Sequence, residues 1–75
     1  MSEADRIRWQ CRRGLLELDL VLARFLERQL ENLMPAEVAA FRRLLDYPDH
    51  DLWDLLNGKV RTSDPELVAI IKLIE

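Results

Sequence analysis

The side chains that most often act as nucleophiles and bases are scarce in this chain. It holds one histidine, His50, and one cysteine, Cys11. A catalytic nucleophile needs a base within hydrogen-bond reach and usually a third group that orients the base. No sequence context joins Cys11 to His50. We therefore expect a protein that is not an enzyme, with Cys11 at least half-buried and His50 on the surface at a helix start.

The sequence also lacks the residues and motifs that metal and phosphate sites require. Structural zinc normally takes about four Cys or His ligands, and only two such side chains occur here. The acids Asp49, Asp51 and Asp54 lack the glycine and the terminal glutamate of a calcium loop, and a solvated helix start accounts for them. The sequence has no glycine-rich phosphate loop. It predicts no metal ion and no stably bound cofactor.

The densest group of distinctive residues lies near the N-terminus and comprises Arg8, Trp9, Arg12, Arg13, Gly14, Glu17 and Asp19. Tryptophan and arginine dominate binding hot spots, and a guanidinium can grip a carboxylate with two hydrogen bonds. Glycine permits a positive φ and close backbone approach. These types favour recognition of another polypeptide. The alternative is a purely structural corner in which Arg13 pairs with Glu17 and the acids meet the positive end of a helix dipole.

The charge is unevenly distributed along the chain. The net charge is −3, yet residues 6–13 carry four arginines and no acid, whereas residues 46–54 carry four aspartates and no base. Such a two-sided surface suits a protein partner. A net negative charge disfavours nucleic acid, which is bound by neutralising phosphates. Arg42 and Arg43 would be the best contacts in the alternative function, a small helical DNA-binding or antitoxin-like regulator.

The elements that must position these residues are all helical. Apolar residues recur at spacings of three and four, and β-branched residues are sparse, which predicts an all-α fold: a compact bundle of about five short helices in a single domain, residues 1–75. The predicted helices cover residues 4–12, 15–33 and 35–45, then a stretch capped by Asp49 and ended by Gly58, and a last one opened by Asp64 and Pro65.

The second predicted helix should seed the core. Its apolar stripe comprises Leu15, Leu18, Leu22, Phe25, Leu26 and Leu33. Leu16, Leu20 and Val21 fall outside the stripe, and we expect neighbouring helices to cover them. Trp53 is expected in the core because its neighbours are leucines, whereas Trp9 is balanced between core and interface.

The remaining expectations concern location and assembly. A single cysteine and the lack of a secretory hydrophobic segment indicate a reducing cytoplasm. No apolar run approaches the roughly 20 residues of a membrane-spanning helix, so no direct membrane insertion is expected. We expect the free protein to be monomeric.

A resemblance to a known family rests on the segment Arg13-Gly14-Leu15-Leu16-Glu17-Leu18-Asp19. This segment is similar to the RGxxExD signature of bacterial SdhE-type flavinylation factors. The likeness extends through residues 8–12, 41–45 and 49–53, and covers nearly the whole chain.

The resemblance implies an assembly factor that binds the flavoprotein subunit of succinate dehydrogenase, with fumarate reductase as a second candidate client. The factor would promote covalent linkage of FAD to a histidine of that subunit, so FAD is the client's cofactor. In this hypothesis Gly14 lets the client approach, Arg12 and Arg13 donate to it, and Trp9 anchors it. Glu17 and Asp19 either orient the arginines or accept from client donors.

Overall fold

Five α-helices joined by short turns make up residues 2–75, the part of the chain that the computed structural model describes. They are α1 Glu3–Gln10, α2 Leu16–Gln29, α3 Pro35–Leu45, α4 Asp49–Leu56 and α5 Pro65–Ile74, with a short 3₁₀ helix, Leu30–Asn32, directly after α2. No strand occurs within these residues. The predicted all-α class is confirmed.

Local sequence signals set most of the helix boundaries. Ser2 begins α1, because its hydroxyl accepts from the Asp5 N–H at 3.1 Å while the Asp5 carboxylate accepts from the Ser2 N–H at 3.4 Å. At α5, Asp64 accepts from the N–H groups of the first turn, and Pro65 occupies the first helical position, as predicted. Gly58, with φ +81°, follows the end of α4 as predicted.

Two predicted helices are too long. The structure ends α1 at Gln10 rather than Arg12, because the Arg12 N–H bonds back to the Trp9 carbonyl at 3.1 Å in a tighter turn. It ends α2 at Gln29 rather than Leu33. The chain tightens into the 3₁₀ helix at Leu30–Asn32, and Leu33 is already extended, with φ −72° and ψ 135°.

The core is built from apolar residues of every helix, and α5 packs against α2, α3 and α4. The rings of Phe25 and Phe41 meet at its centre with centroids 5.0 Å apart. The buried core residues are Ile7, Cys11, Leu18, Leu22, Phe25, Ala40, Phe41, Leu44, Leu45, Leu52, Leu55, Leu56, Leu67, Ile70, Ile71 and Ile74. Leu15, Leu26, Leu33 and Trp53 pack against this core in half-buried positions. The predicted stripe of α2 therefore does seed the core.

An exposed ion pair links two helices of the bundle. Arg43 of α3 donates to Asp64 and lies 3.7 Å from the Glu66 carboxylate, which joins α3 to the start of α5. The hydrogen bond from Arg43 lowers the pKa of the Asp64 carboxyl. Among residues 2–75, no helix has the length and apolar character needed to cross a bilayer.

Candidate partner-binding site

Gly14 forms the tip of the turn between α1 and α2, and its conformation explains why glycine stands there. Its φ is +87°, a left-handed geometry that side chains rarely adopt. A Cβ atom added at this position would meet nothing within 4 Å. Glycine is thus required by the backbone geometry rather than by crowding, and the space above it is open to an approaching molecule.

Asp19, in the first turn of α2, holds this turn in place through hydrogen bonds. Its carboxylate accepts from the Arg13 N–H at 2.8 Å and from the Gly14 N–H at 3.2 Å. The sequence predicts that Asp19 orients arginine side chains or binds the client; in the structure its oxygens hold backbone amides instead. Its contacts therefore fix the path of the chain through Gly14.

The Arg13 side chain points inward, and only 13% of it is exposed. The predicted pair between Arg13 and Glu17 is wrong. The guanidinium turns instead toward the connection between α3 and α4, where several acceptors converge. These acceptors are Asp49 Oδ1 at 2.7 Å from Nε, Leu45 O at 2.7 Å and Gln10 O at 3.2 Å from Nη1, and Tyr47 O bonded to Nη2.

The same contact corrects the predicted role of Asp49. It is not the N-cap of α4, a position that Pro48 occupies; Asp49 is the first helical residue. Its carboxylate is engaged by Arg13 rather than by the amides of its own helix. Sequence reasoning assigns Asp49 to a solvated helix start and misses this link.

The remaining site residues lie on an exposed face. Trp9 is 66% exposed, which rules out the core alternative for its side chain, and the Arg12 guanidinium lies 5.8 Å from its ring centroid. Arg8 is exposed, with Nη1 3.8 Å from Asp5. Glu17 is exposed in the first turn of α2.

Two leucines that should be covered are instead on this face. Leu16 is 73% exposed and Leu20 is 57% exposed, so the expectation that neighbouring helices cover them is wrong. Both lie on α2 outside the core stripe, and no local signal distinguishes a leucine that a neighbouring helix covers from one that stays exposed. Val21, by contrast, is half-buried against the core as expected.

Two separate grooves lie beside the exposed residues of α2. Leu20 lines a groove of about 470 Å³ together with Arg8 of α1 and Arg12 of the turn that follows α1. Leu16 and Glu17 line a second groove, of about 370 Å³, with His50 and Trp53 of α4. We call the surface formed by Arg8, Trp9, Arg12, Gly14, Leu16, Glu17 and Leu20 the α1–α2 corner.

Cys11 lies beneath the corner, where its surroundings disfavour the reactive thiolate. It is buried, and burial raises the pKa of its thiol from 9.0 to about 12; the Arg13 charge opposes this shift and Asp19 adds to it. The thiolate that a nucleophile or metal ligand requires is therefore suppressed at neutral pH.

The Cys11 thiol should react with an aromatic disulfide reagent far more slowly in the native protein than in urea at pH 8, because burial raises its pKa to about 12 and shields the sulfur from the reagent. Because the unfolded chain loses the thiol proton first, the stability this group contributes is complete below pH 9 and is lost between pH 9 and about 12. Alkaline melts of wild type and Cys11→Ala would measure this loss. Equal native and denatured labelling rates would contradict the prediction.

Comparisons with known proteins place the chain in a family. The model described as "Flavinator of succinate dehydrogenase" matches residues 5–75. The chain is 46% identical to the FAD assembly factor SdhE of Methylococcus capsulatus, over 93% of this chain and 84% of that relative. It is 46% identical to the Coxiella burnetii factor of the same name, over 96% and 88% of the two chains, and 42% identical to that of Mannheimia succiniciproducens, over 99% and 88%. No solved structure was found to match. The chain therefore belongs to the family of flavinators of succinate dehydrogenase.

Proposed function

We propose that this protein is an assembly factor that binds the flavoprotein subunit of succinate dehydrogenase and promotes covalent attachment of FAD to that subunit. Fumarate reductase is a second candidate client. The observation that carries the proposal is the α1–α2 corner, in which an open glycine turn adjoins exposed tryptophan, leucine and arginine side chains. FAD remains the client's cofactor in this proposal, and the factor works in the cytoplasm as a monomer.

The proposed contribution to the reaction is positional. A bound helper can raise a rate by holding its client in a reactive geometry without supplying a reacting group. The exposed Trp9 ring and the exposed leucines would provide apolar contact, while Arg8 and Arg12 would donate to client carboxylates or carbonyls. Glu17, with its carboxylate exposed, would accept from client donors.

Purified apo-flavoprotein mixed with FAD and a dicarboxylate provides the direct test. Fluorescence of the denatured flavoprotein band reports covalent flavin alone. We expect the band to appear faster with the factor present than without it. An unchanged rate, together with no measurable complex, would refute the proposed function.

Trp9→Ala should weaken binding of the flavoprotein by roughly 30-fold, because truncating a hot-spot residue costs about 2 kcal/mol. The melting temperature should hardly change, since the Trp9 side chain is 66% exposed. Val60→Ala is the matched control: it also removes an exposed apolar side chain, 49% exposed, but far along the chain from the corner. Titration calorimetry measures the affinity of each variant for the flavoprotein. Equal affinities for the two variants would remove Trp9 from the proposed interface.

The DNA-binding alternative has less support. One of its two candidate cations, Arg43, is paired with Asp64 and Glu66 rather than held free for phosphates. Retention on duplex DNA that falls steeply with added salt would favour this alternative. We expect no such retention.

A further inference from the structure

One guanidinium joins two separate parts of the chain beneath the corner. Arg13 belongs to the turn between α1 and α2, yet three of its acceptors lie where α3 ends, on the turn that follows and where α4 begins. Two of these are backbone carbonyls, and Asp49 is the one carboxylate among them, with its Oδ1 2.7 Å from Nε. The charge that balances Arg13 therefore comes from a residue 36 positions away.

This arrangement fixes the turn from two sides. Asp19 holds the backbone N–H groups of Arg13 and Gly14, while the acceptors around Asp49 hold the Arg13 side chain. A guanidinium is a rigid planar fork, so satisfying its donors determines both its position and its orientation. The turn that bears Gly14 consequently depends on the start of α4.

The surface itself depends on the same link. His50 and Trp53 follow Asp49 on α4, and they line a groove with Leu16 and Glu17 of the corner. If the Arg13–Asp49 pair is lost, α4 is no longer fastened to the turn at this point. The spacing between these two sides of the groove would then relax.

We propose that Asp49 is a positioning residue for client recognition: it acts through Arg13 to hold the Gly14 turn and the neighbouring groove in the shape that the flavoprotein subunit binds. This inference rests on the proposed function. Asp49 need not touch the client, because its carboxylate is already engaged by Arg13.

Asp49→Ala and Asp51→Ala form a matched pair for the test. Both residues lie in the first turn of α4, so both substitutions remove the same charge from the same helix end. Asp51 is exposed and, among the described residues, has no ion pair. Full-length variants are titrated into apo-flavoprotein. We expect the Kd to rise roughly tenfold for Asp49→Ala, a change equivalent to about 1.4 kcal/mol, and less than about twofold for Asp51→Ala.

Two further readouts separate positioning from simple loss of folded protein. Amide hydrogen exchange of Arg13 and Gly14 should accelerate in Asp49→Ala while the buried amides of α2, such as that of Leu22, stay protected. When the flavinylation rate is measured at increasing factor concentration, Asp49→Ala should need a higher concentration to reach half of the maximal rate. The maximal rate itself should be retained. Asp49→Asn keeps a neutral acceptor for Nε and should restore part of the affinity, and it carries the test if Asp49→Ala does not fold.

The outcomes distinguish this inference from the proposed function. If Asp49→Ala and Asp49→Asn are folded and bind as tightly as Asp51→Ala, the positioning role is refuted, although the client may still be bound by wild type. If wild type itself neither binds the flavoprotein nor speeds flavinylation, the proposed function fails first.

Discussion

Gly14→Arg should abolish support for flavinylation while leaving the helical fold in place. The substitution forces a side chain into φ +87°, which costs about 1–2 kcal/mol. The new Cβ meets no atom within 4 Å, so the arginine can extend into solvent without disturbing the core. It would then occupy the open space above the turn that an approaching flavoprotein needs. The loss is therefore expected in binding rather than in folding.

Gly58→Arg provides an unusually close control for this experiment. Gly58 has φ +81°, and a Cβ atom there also meets nothing within 4 Å. The two variants should thus share the same backbone strain and the same added charge. Only one of them alters the α1–α2 corner.

Circular dichroism melts and the covalent-flavin assay measure the two effects separately. We expect similar decreases in melting temperature for Gly14→Arg and Gly58→Arg, with flavinylation lost in the first and kept in the second. If both variants lose flavinylation in proportion to their lost stability, the turn is a structural element and the corner is not the interface.

The helices were predictable because their signals are local. Ser2, Pro35 and the Asp64-Pro65 pair act within one turn of the helix they begin, and the stripe of α2 follows directly from spacing. Gly14 and Gly58 both adopt the left-handed geometry that glycine at a helix end predicts. Sequence patterns within a few residues therefore account for these helix starts and turns, whereas the ends of α1 and α2 were placed too late.

The partner of Arg13 could not be found in the same way. Local spacing offers Glu17, four residues away, whereas the observed carboxylate is Asp49, brought close only when α4 docks. The exposure of Leu16 and Leu20 also depends on tertiary structure, because it requires knowing that no helix of residues 2–75 packs over that side of α2. The sequence thus indicated the segment in which the candidate residues lie, but not which of their side chains are exposed and which are buried.

The loss of Arg13 should destabilise the protein far more than its sequence context indicates. An exposed ion pair with Glu17 would contribute about 0–1 kcal/mol. The observed guanidinium is 13% exposed and bonds to Asp49 and to backbone carbonyls, so Arg13→Ala would leave several acceptors unpaired. Breaking a fully buried pair would cost more, but the Asp49 side chain is 36% exposed and water can solvate it. We therefore expect Arg13→Ala to lower the free energy of unfolding by about 2–3 kcal/mol.

Arg12→Ala is the matched control, since it removes an adjacent arginine of the same charge whose side chain is exposed beside Trp9. It should cost no more than about 1 kcal/mol. For a domain of this size, 2–3 kcal/mol lowers the melting temperature by roughly 8–24 °C, against no more than about 8 °C for the control. Urea melts should show the same order, and the difference should persist in added salt because the Arg13 side chain is mostly buried and also donates to backbone carbonyls. Equal melting of the two variants would mean that the contacts of Arg13 with the α3–α4 turn contribute little to the fold, and the corner would then have to be held by Asp19 alone.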